Sequence, residues 1–150
     1  MSAELRELYQ ELIIDHGRHP RNFGALAEAN HHAQGYNPLC GDKIIMHVQQ
    51  VNGVVEHIQF EGAGCAISMA SASLMSEALR GKTIKEIEAI FSAFHQLVTE
   101  GQSSDKLGKL AVLGGVREFP VRVKCATLAW HTLNAALANE PQSVSTEDMK

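Results

Sequence analysis

Three thiols and one carboxyl group are the side chains in this sequence best suited to chemistry: Cys40, Asp42, Cys65 and Cys125. Cys40 and Asp42 stand two residues apart, so in an extended chain they share one face, and the glycine between them permits a bend that aims both at one ion. Cys65 follows a glycine-rich turn and opens a helical pattern, and a helix N-terminus favours a thiolate. Three thiolates and one carboxylate match tetrahedral zinc and also suit iron–sulfur clusters.

Each of these residues also has an ordinary structural explanation. Taken alone, Cys65 is better explained as a small buried hydrophobic residue. Cys40 and Asp42 are explained equally well by a turn with a capping carboxylate. The odd number of cysteines, three, argues against a disulfide framework and for thiolates used as ligands or nucleophiles. The sequence contains no CxxC pair, which argues against a dithiol redox protein.

The chain around the cysteines predicts how they meet. Residues 43–60 have the composition of two strands separated by Asn52-Gly53, a strong signal for a two-residue hairpin turn. A hairpin returns its ends to the same place, so Cys40 and Cys65 are expected to lie together. Cys125 completes the group if the last helix packs beside that end of the sheet.

The remaining patterns predict helices around a small sheet. A short strand over residues 31–36 is expected to join the hairpin, and Thr83 and Glu86 form a capping box that opens one helix. His16-Gly17 is expected to end the first helix. Helices are predicted over residues 2–17, 66–80, 84–98 and 106–113, and Gly114-Gly115 is expected to end the fourth. A last helix is predicted from residue 120. It carries several residues close to one face: Val121, Cys125, Leu128, Ala129 and Thr132.

The composition predicts one domain in a reducing compartment. Hydrophobic residues make up 45% of the chain and the formal net charge is −4, which gives one sizeable core and no basic footprint for nucleic acid or anionic lipid. The sequence begins without a secretory pattern and has no apolar run long enough for a membrane span, so the expected localisation is cytoplasmic. We expect a domain over residues 1–139 and a flexible tail over 140–150.

The histidines are predicted to have no metal role. His31 and His32 are neighbours on an extended chain and point to opposite faces, so the pair is not expected to bind one ion. His47 and His57 fall within the hairpin strands, where half-exposed strand residues are the simpler interpretation.

Three ordered motifs give this sequence a resemblance to a known family. They are Asn-Pro-Leu-Cys-Gly-Asp at 37–42, Gly-Ala-Gly-Cys-Ala-Ile-Ser at 62–68, and Arg-Val-Lys-Cys-Ala-Thr-Leu-Ala-Trp at 122–130. Together they resemble the iron–sulfur assembly scaffold family of IscU and the N-terminal domain of NifU. Lys124, where the IscU branch has a histidine, and a long segment over residues 96–118 are similar to the SufU branch.

The resemblance implies an α+β fold in which a small three-stranded antiparallel sheet is covered by about five helices. It implies iron–sulfur cluster biogenesis, with zinc held by Cys40, Asp42, Cys65 and Cys125. Its implied partners are a pyridoxal-phosphate cysteine desulfurase, similar to SufS, and downstream cluster-assembly or apo-client proteins.

Three functions are compatible with this reading. The first is a zinc-dependent sulfurtransferase in which Cys40 accepts sulfur from the desulfurase, since Cys40 lies in a turn and leaves the metal at the least cost in backbone order; Cys125 is the alternative acceptor. The second is a non-enzymatic scaffold on which a [2Fe–2S] cluster assembles on Cys40, Cys65 and Cys125. The third is a structural zinc module that binds a partner.

Overall fold

Three long antiparallel strands and four α-helices form most of the described chain, residues 3–139 and 144–146 of a computed structural model. The helices are α1 (Ala3–Arg18), α2 (Ala66–Leu79), α3 (Ile84–Glu100) and α4 (Pro120–Leu137), with a 3₁₀ helix over Gly108–Glu118. The strands are β1 (His31–Asn37), β2 (Asp42–Val51), β3 (Val54–Ala63), β4 (Lys82–Thr83) and β5 (Val144–Ser145). The predicted α+β class is confirmed.

The sheet has the order β4-β3-β2-β1-β5. Its three long strands are antiparallel as predicted, but two short edge strands extend it, and β5 runs parallel to β1. Two-residue strands have no alternating pattern to read, which is why the sequence did not predict them. β5 lies within the range expected to be a tail, whose residues 140–143 and 147–150 are outside the described part; the domain boundary at 139 remains a prediction.

The β2–β3 hairpin is the element that the sequence predicted most directly. Asn52 and Gly53 have φ values of 53° and 78°, which are the two left-handed positions of the turn that suits strand twist. Along both strands, alternate residues are buried against the helices, among them Ile44, Met46 and Phe60. The other face of the sheet is turned to solvent.

The helices pack on one face of this sheet. α4 contacts β1 and β2, and α2 packs between α1 and α4. Trp130 of α4 is buried, stacks on Phe94 at 4.4 Å between ring centroids, and donates its indole N–H to Ser71 Oγ at 3.3 Å. Val121, predicted to lie close to one face with Cys125, is 48% exposed while Cys125 is buried, because the first turn of α4 extends past the packed surface. No helix within residues 3–139 is both long and apolar enough for a bilayer span.

The segment before α4 is a 3₁₀ helix and not the α-helix predicted over residues 106–113. Three of its four buried side chains recur every third residue, at Leu110, Leu113 and Val116, and Leu107 just before the helix continues that series; Val112 is the fourth. That spacing forms one stripe on a helix with three residues per turn. The helix therefore continues through Gly114-Gly115, which were predicted to end it.

α1 also continues past its predicted end, to Arg18. Gly17 lies inside the helix, where a Cβ atom would sit 3.2 Å from the carbonyl oxygen of Ala66, so the glycine permits close packing on α2. The preceding residue, His16, is only 1% exposed and its Nδ1 lies 2.7 Å from Ser73 Oγ. Burial lowers the pKa of His16 below 6.5.

Acid should therefore weaken the docking of α1. An unfolded His16 binds a proton as the pH falls through about 6.5 and the folded one resists it, so the free energy of unfolding should decrease below that pH, by at most ~1.4 kcal/mol per pH unit for one proton. Urea unfolding of wild type and His16→Gln, from about pH 8 to about pH 5.5, measures the effect. The variant should lose less stability over that interval; parallel profiles would contradict this account.

Candidate metal centre

The hairpin brings Asp42 and Cys65 to the same end of the sheet. Lys43 pairs with Ala63, so the first residue of β2 lies beside the turn that follows β3. Asp42 is 1% exposed, and its Oδ1 accepts the backbone N–H of Cys65 at 2.8 Å. This hydrogen bond closes the open end of the hairpin.

Gly64 makes that bond possible. A Cβ atom at this position would lie 2.5 Å from Asp42 Oδ1, so any larger residue would displace the carboxylate. Gly41 is needed for its backbone conformation. Its φ of 71° is left-handed and turns the chain between β1 and β2. The two glycines fix where the carboxylate and the Cys40 turn can lie.

The cysteines differ in exposure. Cys40 is exposed in the β1–β2 turn, Cys65 is half-buried, and Cys125, one turn inside α4, is buried; all three are free thiols. The Sγ atoms of Cys40 and Cys125 are 3.2 Å apart. Packing of α4 on the sheet thus brings together two sulfurs that lie 85 residues apart in sequence.

Cys40, Asp42 and Cys125 form a candidate metal cluster, because one ligand atom of each lies within 4.8 Å of the other two. The fourth predicted ligand, Cys65, borders this group without belonging to it. Its Sγ caps α2 by accepting the backbone N–H of Ser68 at 3.4 Å. Three of the four predicted residues are therefore gathered within ligand distance, and the fourth is joined to them through its backbone.

The electrostatics of the group favour neutral Cys125 until a cation arrives. Burial raises the pKa of the Cys125 thiol far above its ordinary value, and hydrogen bonds with Cys40, Asp42 and Cys65 raise it further. A divalent metal would replace the thiol proton, since thiolate is the form that ligates. The donor set, soft sulfur with one carboxylate oxygen, fits zinc and also fits iron–sulfur clusters.

Asn37 is a site residue that the sequence reasoning missed. Its side chain is buried, and its Nδ2 donates to Asp42 Oδ2 at 3.0 Å and to Cys125 Sγ at 3.2 Å. Its Oδ1 accepts the hydroxyl of Thr146 at 3.0 Å. The signal available was that Asn37 faces Asp42 across the β1–β2 turn; nothing in the sequence indicated Thr146.

Comparisons with known proteins find relatives that match most of this chain. The sequence profile of the NifU-like N terminal domain family matches residues 8–144. The chain is 40% identical over 141 residues to the zinc-dependent sulfurtransferase SufU of Bacillus subtilis, covering 93% of this chain and 95% of that protein. It is 38% identical over 137 residues to the iron–sulfur cluster assembly scaffold protein IscU of Streptococcus pyogenes, covering 90% and 86%.

A solved structure shows the same architecture. The crystal structure of SufU from Fervidobacterium islandicum, described as a cluster assembly scaffold protein for the SUF system, matches with a TM-score of 0.81 and 30% identity. The match covers 91% of this chain and 99% of that one.

Replacing Asn37 by Ala should weaken metal retention while leaving the fold intact. The substitution removes the donor shared by Asp42 and Cys125, and loss of such an outer hydrogen bond costs about 10–100-fold in metal affinity. Competition with a zinc chelator measures the loss, and Asn30→Ala, far from the cluster, is the matched control. Equal retention by the two variants would show that Asn37 does not orient the ligands.

Proposed function

Since the chain belongs to the NifU-like N-terminal domain family, we propose that it acts in iron–sulfur cluster assembly as a zinc-bound sulfur acceptor. The observation that carries the proposal is the pair of sulfurs 3.2 Å apart, one exposed on Cys40 and one buried on Cys125, beside the Asp42 carboxylate. The similarity to a zinc-dependent sulfurtransferase supports it. We place this activity in the cytoplasm, with a pyridoxal-phosphate cysteine desulfurase of the SufS type as the sulfur donor.

Zinc would be held by Cys40, Asp42, Cys65 and Cys125, and when bound it keeps cysteines as thiolates at neutral pH. We include Cys65 in this ligand set because of its position. Its backbone N–H donates to Asp42, and its thiol raises the pKa of Cys125. Lys124, the residue before Cys125, is not assigned as a ligand. A protonated amine has no lone pair to donate to a metal, so Lys124 contributes positive charge beside Cys125.

We assign Cys40 the role of sulfur acceptor. It is the exposed thiol, in a turn, whereas Cys125 is fixed in α4 and Cys65 caps α2. Its thiolate attacks the outer sulfur of the desulfurase persulfide, the S–S bond of that persulfide breaks, and the desulfurase cysteine leaves as a thiolate. Cys40 becomes a persulfide, and no external oxidant or reductant is needed.

A second candidate function uses the same residues. The sulfur and carboxylate donors also suit a [2Fe–2S] cluster, and the similarity to an IscU scaffold supports this alternative. Here the cluster is the cargo, built on the chain and passed to client proteins. The two functions differ in which metal accompanies the purified protein.

The purified protein should contain about one zinc per chain, as three thiolates and one carboxylate fill a tetrahedral site. Elemental analysis with an absorbance spectrum tests this, and Cys65→Ser or Cys125→Ser should retain less zinc and melt at lower temperature. A brown protein with thiolate-to-iron absorption and no zinc would support the scaffold instead. Wild-type zinc affinity in Cys65→Ser would remove Cys65 from the ligand set.

Sulfur transfer should require both zinc and Cys40. Sulfide release by the matched desulfurase is measured with zinc-loaded, apo and iron-reconstituted protein, and persulfide is located by mass spectrometry. We expect stimulation with the zinc form alone, persulfide on Cys40, and none in Cys40→Ser. Full stimulation by apo protein would contradict the zinc requirement, and persulfide on Cys125 would transfer the acceptor role to α4.

A further inference from the structure

The solvent face of the sheet carries a second group of metal-binding side chains. His32 of β1 and His47 of β2 are directly paired across the two strands, and both belong to the face that the helices leave uncovered. His31, in contrast, contacts the carbonyl oxygen of Ala136 in α4. The expectation that His31 and His32 point apart is thus met, but His32 has a partner on the neighbouring strand.

A hydrogen-bonded chain runs across three strands on this face. The Nδ1 atoms of His32 and His47 are 2.8 Å apart, and His47 Nε2 lies 2.7 Å from Glu61 Oε1 on β3. A carboxylate accepts hydrogen bonds only, so the Nε2 of His47 carries a proton. A neutral His47 therefore presents the lone pair of its Nδ1 towards His32, and this lone pair accepts the Nδ1–H of His32 at 2.8 Å. A metal ion held by both Nδ1 atoms replaces that proton, and His32 then carries its proton on Nε2.

The proton arrangement of His47 is the one that metal-bound histidines use. A ligating imidazole commonly donates its other N–H to a carboxylate, which fixes the tautomer and raises the basicity of the ligating nitrogen. Glu61 occupies that position behind His47, and its side chain is 42% exposed, so its charge also attracts a cation from solvent.

The spacing of the two nitrogens suits a particular coordination geometry. Two ligands on adjacent corners of a square, each about 2.0 Å from the metal, are separated by about 2.8 Å. The observed separation between the Nδ1 atoms is 2.8 Å. Square-planar or octahedral ions with a preference for imidazole, such as Ni²⁺ and Cu²⁺, have such corners.

From this geometry we propose that His32 and His47, supported by Glu61, bind a divalent transition-metal ion on the outer face of the sheet. His32 is exposed, so water completes the coordination and the ion exchanges with solvent. The site is separate from the candidate cluster of Cys40, Asp42 and Cys125, called the thiolate cluster below. His47 lies five residues along β2 from Asp42, roughly 17 Å at the rise of a strand. Its imidazole ligands also differ from the sulfur ligands there.

Nickel is the probe that tests this site. Protein without an affinity tag, with zinc already in the thiolate cluster, is titrated with Ni²⁺ by calorimetry, and the histidine ring signals are followed by NMR. We expect about one Ni²⁺ per chain, with the His32 and His47 signals broadened before those of other histidines. Affinity should fall at least about tenfold in His32→Gln and in His47→Gln, and about 10–100-fold in Glu61→Gln.

The matched control is His57→Gln, a histidine on the same face of β3, which should bind Ni²⁺ as the wild type does. Unchanged affinity in both His32→Gln and His47→Gln would overturn the proposal, as would an equal loss in His57→Gln. Release of zinc in step with Ni²⁺ uptake would also overturn it, because the nickel would then be entering the thiolate cluster. Broadening in the wild type decides the matter independently of whether a variant folds.

Discussion

The carboxylate of Asp42 is the contact on which the candidate metal centre depends. Its Oδ1 accepts a hydrogen bond from the backbone N–H of Cys65, just after β3, and its Oδ2 accepts one from the side-chain amide of Asn37, at the end of β1. The same amide reaches Cys125 on α4. One buried carboxylate therefore joins the ends of β1 and β3 directly, and α4 through Asn37. Hydrogen bonds to a carboxylate are stronger than neutral ones.

This arrangement separates rigid from mobile parts of the site. Asp42, Cys65 and Cys125 are held by strand register, a helix cap and helix packing, whereas Cys40 occupies a turn whose left-handed Gly41 makes no close contact at its Cβ position. Turns with few buried contacts open at lower cost than packed elements. The proposed acceptor role requires the sulfur of Cys40 to leave a metal and meet another protein, and a turn suits that role. The other three proposed ligands would then hold the ion in place.

Local signals in the sequence predicted the parts of the fold that local chemistry determines. Asn52-Gly53 fixed the hairpin, Thr83 and Glu86 form the predicted capping box, and the hairpin geometry implied that the first two cysteine motifs meet. The position of Cys125 depended on how α4 packs, which no local pattern states. The Asn37–Thr146 contact depends on β5, whose two residues pair with β1 and carry no strand pattern. The three-residue spacing of Leu110, Leu113 and Val116 is typical of a 3₁₀ helix, whereas Gly114-Gly115 is typical of a helix end, and the spacing continues across the glycines.

The two groups of metal-binding side chains arise from different levels of the structure. His32 and His47 face each other because of the register of two neighbouring strands, so they require only the sheet. The thiolate cluster requires the hairpin, α2, α4 and the buried Asn37 at once, and it is therefore assembled only in the complete fold. A metal that binds only the folded chain would stabilise it at either place, by an amount set by its affinity and concentration. The two places differ in how much of the fold must be present for the ligands to meet. A metal in the buried cluster would therefore be released by partial unfolding of the helices, whereas one on the sheet face would be released only when the strands separate.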